Sequence, residues 1–230
     1  MIQQSFIENL TQVEVRAEAL SPDTMLLHRF LLGQSEKSAG ETAEKIVAEI
    51  ARLTLAAPFR QMQTPGGRTM SAALSNCGLL GWVTDRQGYR YQPTDPDSGR
   101  PWPAMPELFR ALAQQAAAAA GYAGFNPDVC LLNRYQAGAR MSLHQDRDEK
   151  NLDAPIVSFS LGLPALFLWG GLKRGDGVLR WTLEHGDALV WGRSDRLRYH
   201  GIAPLPSGQH PLTGAVRYNL TFRQTGLPAG

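Results

Sequence analysis

The sequence predicts an α+β fold with a jelly-roll core, and three observations carry that reading. Two amphipathic helical patterns lie in the N-terminal half, short strand-like runs fill the chain from Asp128 onward, and no helix alternates with those runs. A parallel α/β sheet would need a helix between successive strands, so this order argues against it. The 230 residues suit one β-rich domain, and no linker or internal repeat divides them. The 23 glycines and 15 prolines exceed average usage, as many turns between short strands require.

Taken in order, residues 1 to about 35 lack sustained periodicity and read as a strand or two with loops. Ser38 and Glu41 have the spacing of a capping box. Ala43, Ile46, Val47, Ile50 and Leu53 then recur at helical spacing, predicting an amphipathic helix that ends before Pro58. A second helix is predicted after Pro106, with Leu108, Leu112, Ala116 and Ala119 on one stripe and Gly121 as its stop. Its alanine run needs no special role, because alanine is the best helix former. The runs VCLLNRY, IVSFSLG, ALFLWGG, RWTLEHGD, ALVWG and RYNLTFR, bounded by Gly, Pro, Asn or Asp, read as strands. We expect one domain over 1–230, comprising an N-terminal strand and helix segment (1–57), a middle region with the second helix (58–127) and the jelly-roll core (128–224).

Composition narrows the function only a little. A net charge of +2 does not mark a nucleic-acid binder, since the footprint that matters is a local stripe of Lys and Arg. Cys77 and Cys130 lack C-x-x-C spacing and read as small buried thiols. The N-terminus has no basic stretch followed by an apolar one, and no run of 18 apolar residues occurs, so a cytoplasmic location without a membrane partner is expected. No heptad seam is visible, and a monomer is expected.

The segment LHQDRDE places His144 and Asp146 two apart, where an extended chain points both side chains the same way. His200 in LRYHGI, at the end of a later strand-like run, is the candidate third ligand. Two histidines and one carboxylate leave three metal positions open, the arrangement of non-haem Fe(II) oxygenases. The same trio could hold zinc. His185 lies in an EHGD turn, and His28 and His210 have no carboxylate at ligand spacing, so none is assigned a role.

RYNLTFR puts Arg217, Asn219, Thr221 and Arg223 on one strand face and Tyr218, Leu220 and Phe222 on the other. A solvent-exposed charged face is the ordinary explanation of such alternation. The alternative is that the two arginines give planar, bidentate partners to the ends of a dicarboxylate. Asn133 and Tyr135 in LLNRY would add neutral hydrogen-bonding groups, and the set fits 2-oxoglutarate.

The motifs TPGGRTMSAALSNCG, GWVTDRQGYRY, PWPAMP, LLNRY, LHQDRDE, SLGLPALF, GGLKR, EHGDALVWG, YHGI and RYNLTFRQ, in this order, closely resemble the bacterial AlkB family from about Pro58 to Gln224. The resemblance implies a double-stranded β-helix holding Fe(II) through His144, Asp146 and His200. It implies that Arg217 and Arg223 clamp 2-oxoglutarate, with Asn133, Tyr135 and Asn219 hydrogen-bonding to it, and that O₂ is the second co-substrate. It further implies a nucleotide-recognition region within 58–127, with Trp82 stacking on a flipped-out base and the His144 ring against the base's other face. Asp148 would read the exocyclic amino group, and Tyr89, Tyr91 and Arg174 would contact phosphate and close over the substrate. The implied activity is oxidative demethylation of bases such as 1-methyladenine and 3-methylcytosine in single-stranded or duplex DNA, or in RNA, with release of formaldehyde. The first 50 or so residues and the last six fall outside the resemblance. The loop at Asp85 and Arg86 departs from it in charge, which bears on strand preference because phosphate contacts dominate affinity. Three rival readings stand beside it: the same chemistry on RNA, a protein side chain or a lipid; a silent metal-stabilised binding module; and a zinc hydrolase with Asp148 as base. The last leaves Arg217 and Arg223 without employment.

Overall fold

The computed structural model describes residues 16–32 and 40–228. The first 15 residues and Ser38 of the expected capping box lie outside the described residues. Strands β1 (Ala17–Ser21) and β2 (Thr24–Leu27) form an antiparallel hairpin, so the early residues do contain the expected strands. Helix α1 spans Glu41–Ala56 and buries Ala43, Ile46, Ile50 and Leu53, the predicted face, with Val47 half-buried beside them. Its N-cap is Gly40, in the left-handed region at φ 100°, so the helix starts later than a Ser38 cap would have it. Glu41 and Glu44 in the first turn compensate the helix dipole.

Strands β3 (Ala73–Gly78), β4 (Gly81–Asp85) and β5 (Gly88–Gln92) follow, and then helix α2 (Glu107–Ala119). The α2 face differs from expectation. Phe109, Ala113, Ala116 and Ala117 are buried, Leu108 and Leu112 are half-buried flanks, and Ala119 is exposed. The small alanines let the helix axis approach the sheet, and Phe109 meets Phe222 edge-on at 6.3 Å, so close packing decides the seam rather than the larger leucines. Gly121 adopts φ 83° and ends the helix as predicted, with the Tyr122 N–H donating back to the Ala117 carbonyl at 2.8 Å.

The remaining strands are β6 (Val129–Tyr135), β7 (Met141–His144), β8 (Ile156–Gly162), β9 (Ala165–Trp169), β10 (Leu179–Leu183), β11 (Ala188–Trp191), β12 (His200–Ile202) and β13 (Arg217–Arg223). They form a seven-stranded sheet of order β1-β2-β11-β8-β13-β6-β3, a four-stranded sheet of order β10-β9-β12-β7, and a separate β4-β5 ribbon. All pairings are antiparallel, and the two larger sheets make the jelly-roll core.

Alternation along the central strands sorts their side chains between two layers. Leu132, Val157, Phe159, Val190, Leu220 and Phe222 pack with α1 and α2 in one core. Leu131, Tyr135, Ile156, Leu189 and Trp191 face the smaller sheet, where Phe167, Trp169 and Ile202 meet them. The polar residues of β13 share that second face. Its alternation therefore does not mark a solvent face: Arg217, Asn219, Thr221 and Arg223 are all buried between the sheets.

Candidate metal and co-substrate site

β7 and β12 are antiparallel neighbours in the smaller sheet, and their register sets His200 opposite His144. Gly201 permits this close approach, since a Cβ there would lie 2.5 Å from the Met141 carbonyl oxygen. Asp146 follows two residues beyond the end of β7. The three side chains bring ligand atoms within 4.8 Å of one another, and they are the one such group among the described residues. His144 Nε2 lies 3.6 Å from Asp146 Oδ1, and His200 Nε2 lies 3.8 Å from Oδ2.

Each imidazole is oriented by the same device. His144 Nδ1 donates to the Ser142 carbonyl at 2.9 Å and His200 Nδ1 to the Arg198 carbonyl at 3.1 Å. A carbonyl only accepts, so Nδ1 carries the proton and Nε2 keeps its lone pair for a metal. Burial pushes the His200 pKa down to about 3, helped by His144 and opposed by Asp146, so the ring is neutral at neutral pH. Burial alone would raise Asp146. The Arg223 guanidinium, with His200, His144 and Arg196, overrides that and holds the carboxyl well below the usual range.

Beside this trio lies the inner face of β13. Arg217 is 0% exposed, and its Nη2 donates to Ser160 Oγ at 2.9 Å. Among the described residues its Nε and Nη1 have no partner, nor does Nη1 of Arg223. Burial lowers the Arg217 pKa to about 10, which still leaves a cation at neutral pH. Arg223 spends its other donors on Asp146 Oδ2, at 2.6 and 3.2 Å, and on Glu149 Oε1 at 3.1 Å. Buried guanidinium N–H groups without acceptors are costly, and they fit the carboxylates of a dicarboxylate.

The register brings Tyr135 opposite Arg217 and Asn133 opposite Asn219. Burial pushes the Tyr135 hydroxyl up to about 12, keeping it a donor. Asn219 is committed to the protein: its amide donates to Ser158 Oγ (2.7 Å) and the Phe159 carbonyl (2.9 Å), while its Oδ1 accepts from Thr221 and Asn133. It organises the layer, and Asn133 and Tyr135 have more freedom to meet a ligand.

The β4-β5 ribbon is stapled to the LHQDRDE segment twice. Trp82 Nε1 donates to Asp148 Oδ2 at 2.9 Å, and the Tyr91 hydroxyl, cross-strand from Trp82, donates to Glu149. Tyr89, which is 50% exposed, stacks on Trp82 at 5.6 Å and 19°. Arg174 is exposed, with its guanidinium 5.1 Å over the ring of Tyr199, the residue before His200. Asp85, in the loop of divergent charge, is paired with Arg90 at 2.8 Å.

Sequence reasoning missed Glu149, Arg196, Ser158 and Ser160. Buried Glu149 joins Tyr91, Arg223 and Arg196, and Arg196 donates to the Asp146 carbonyl. Its adjacency to Asp148 in LHQDRDE was the available signal. Of the unassigned histidines, His28 does have a carboxylate, Glu18 at 2.8 Å across the hairpin, and His185 lies 4.3 Å from His210. Cys77 and Cys130 face each other across β3 and β6, both buried as expected.

Residues 23–223 match the 2OG-Fe(II) oxygenase superfamily. With the two histidines, the carboxylate and the arginine pair placed together, the class is that of Fe(II)- and 2-oxoglutarate-dependent dioxygenases, which use O₂ as second co-substrate. The chain is 57% identical over 209 residues to the alpha-ketoglutarate-dependent dioxygenase AlkB of Escherichia coli (strain K12), covering 91% of this chain and 93% of that one. It belongs to the AlkB family. A more distant relative, the DNA N(6)-methyladenine demethylase ALKBH1C of Arabidopsis thaliana, is 32% identical over 186 residues, 70% of this chain and 41% of that protein. The solved structure of OsALKBH1 superposes with a TM-score of 0.77 at 28% identity, covering 91% of this chain and all of that one. The superfamily match begins at residue 23, so β2 and α1 belong to the common fold although the motifs readable in the sequence start near Pro58.

Proposed function

We propose that this dioxygenase removes alkyl groups from damaged bases such as 1-methyladenine and 3-methylcytosine, in DNA or in RNA. The observation that carries this reading is the Trp82–Asp148 pair, a half-buried aromatic ring bonded to a carboxylate two residues from a candidate metal ligand. In this reading His144 and His200 offer Nε2, and Asp146 its carboxylate, to Fe(II). Arg217 and Arg223 bind the two ends of 2-oxoglutarate, helped by Asn133 and Tyr135, while Asn219, expected from the sequence to join them, supports the pocket through its bonds to Ser158, Phe159, Thr221 and Asn133. When bound, iron would supply the coupling of O₂ to oxidative decarboxylation of 2-oxoglutarate, one oxygen atom entering succinate as CO₂ leaves and the other hydroxylating the N-alkyl carbon, which then departs as formaldehyde.

The chain's own residues provide orientation and exclude water. Trp82 would stack on the extruded base, worth about 1–3 kcal/mol per base and tolerant of base identity. The His144 ring would close the other face. Asp148, acceptor-only, suits both an exocyclic amino group and the positive charge that N-methylation gives adenine or cytosine, and would share itself between the base and the Trp82 indole. Tyr89, Tyr91 and Arg174 would hold the backbone and the closed ribbon. A lesion that weakens pairing lowers the cost of extrusion, a few kcal/mol, which favours damaged bases. We take the protein to act as a monomer in the cytoplasm, as one domain with its nucleotide-recognition region in 58–127. Among the described residues no helix is long and apolar enough to cross a membrane.

The test is formaldehyde and succinate release from protein supplied with Fe(II), 2-oxoglutarate, ascorbate and air, with and without a single-stranded oligonucleotide carrying either lesion. Equimolar, oligonucleotide-dependent release of both products is expected, and none from His144→Ala. Succinate without formaldehyde would move the substrate to another class, such as a protein side chain or a lipid.

A further inference from the structure

The β1-β2 hairpin reaches the metal site through one buried carboxylate. Asp195, 1% exposed, ends the short helical turn Arg193–Asp195 between β11 and β12. Its Oδ2 accepts three hydrogen bonds from the hairpin: the Ser21 hydroxyl, the Asp23 N–H at 3.0 Å and the Thr24 hydroxyl at 2.9 Å. Its Oδ1 accepts from Arg198 Nε, and Arg198 Nη1 donates to the Gly170 carbonyl at 3.1 Å.

The carbonyl of this same Arg198 accepts the Nδ1–H of His200. That carbonyl shares a planar peptide unit with the Tyr199 N–H, which donates to the Gly171 carbonyl at 2.9 Å. The peptide plane that aims His200 is therefore fixed on one edge by Gly171 and at its Cα by Asp195 acting through the Arg198 side chain. The hairpin also holds the turn itself. Asp23 accepts from the Ser194 N–H and hydroxyl and faces Arg193, whose φ of 45° is a conformation that persists only under such restraint. Among the described residues no side chain braces His144 in this way. Its carbonyl partner, Ser142, is exposed on β7, which lies at the edge of the smaller sheet.

We infer that Asp195 and Arg198 are positioning residues for the metal ligand His200, and that the N-terminal hairpin, through Ser21 and Thr24, is the anchor that holds them. The inference rests on the metal-binding reading of His200. It gives the hairpin a task in the chemistry: setting which ring nitrogen of one ligand faces the metal.

The experiment uses the full chain, metal-free, titrated with Co(II) and followed by visible absorption, alongside long-range ¹H–¹⁵N spectra of the histidine rings before metal is added. Asp195→Asn is expected to weaken Co(II) binding about tenfold, the lower end of the range for loss of an outer-shell partner, and to turn the single Nδ1–H tautomer of His200 into a mixture. The His144 signals should not change. Arg198→Gln, which leaves the three hairpin donors on Asp195, should shift both readouts in the same direction and decides the matter if Asp195→Asn does not fold. A lower melting temperature with wild-type Co(II) affinity and an unchanged His200 tautomer would show a structural role only and overturn the inference. Undiminished Co(II) binding by His200→Ala would instead overturn the metal assignment beneath it.

Discussion

Replacing Arg217 by Met should separate stability from co-substrate binding, with opposite signs. The guanidinium is fully buried, keeps one hydrogen bond to Ser160, and among the described residues has no acceptor for Nε and Nη1. Each unsatisfied donor costs about 1–3 kcal/mol in the ligand-free chain, while the bond to Ser160 returns only about 1 kcal/mol. Methionine fills a similar volume without that cost, so the ligand-free variant should be at least as stable as the parent. For a domain of this size each kcal/mol moves the melting temperature by about 2–4 °C. Binding should behave in the reverse way. Two charge-assisted hydrogen bonds at about 1.5–3 kcal/mol each amount to roughly 3–6 kcal/mol, or about two to four decades in affinity. Calorimetric titration of 2-oxoglutarate into Mn(II)-loaded protein measures the affinity, and thermal melts without ligand measure the stability. Binding within fivefold of wild type, or a ligand-free variant that melts several degrees lower, would refute the reasoning.

Asp146→Asn should be destabilising even without metal, because it takes from buried Arg223 its carboxylate partner at 2.6 Å and leaves it Glu149 at 3.1 Å. Leaving a buried charge wholly unpaired costs about 3–5 kcal/mol, which is the ceiling here because Glu149 still pairs with Arg223, and the loss is readable as a lower urea midpoint. Trp82→Ala should lower turnover of methylated oligonucleotides by about one to two decades and leave oligonucleotide-independent decay of 2-oxoglutarate nearly unchanged; equal losses would point to another substrate. Burial, then His210 and Arg29, lower the His185 pKa to about 4, and its Nδ1 accepts the Gly162 N–H at 3.0 Å. The unfolded chain, with the ordinary histidine value of about 6.5, binds the proton first. The stability held above pH 6.5 should therefore fall as pH drops toward 4, and urea titrations of His185→Gln should show a shallower decline over that window.

Much of this was legible in the sequence where side-chain period and chemistry agree. The strands β6, β8 to β11 and β13, the His144–Asp146–His200 grouping and the α1 face follow from side-chain spacing and chemistry, whereas β7 and β12 are not among the strand-like runs and His200 begins β12 rather than ending a run. The α2 seam did not, because period identifies an apolar stripe without saying that alanines rather than leucines mark the closest approach. The polar face of β13 was ambiguous for a related reason. Alternation reports two environments, and only the covering sheet reveals that both are buried. Glu149 and Arg196 were invisible because they lie 47 residues apart and each looks like surface charge until folding buries the pair. The task inferred for Ser21 and Thr24 was equally unreadable, since their partner Asp195 sits at the far end of the chain.

The two halves of the site are built into parts of the molecule with very different neighbours. β13, which carries the arginines, is flanked by β8 and β6 and covered on both faces, whereas β7, which carries His144, has β12 alone as its strand partner. Segments at a sheet edge open at a fraction of the global unfolding free energy, while central strands exchange only when the whole domain does. If His144, Asp146 and His200 hold iron and the arginines of β13 hold 2-oxoglutarate, fraying of one short edge strand would release His144 while the buried arginines keep their places as a standing template.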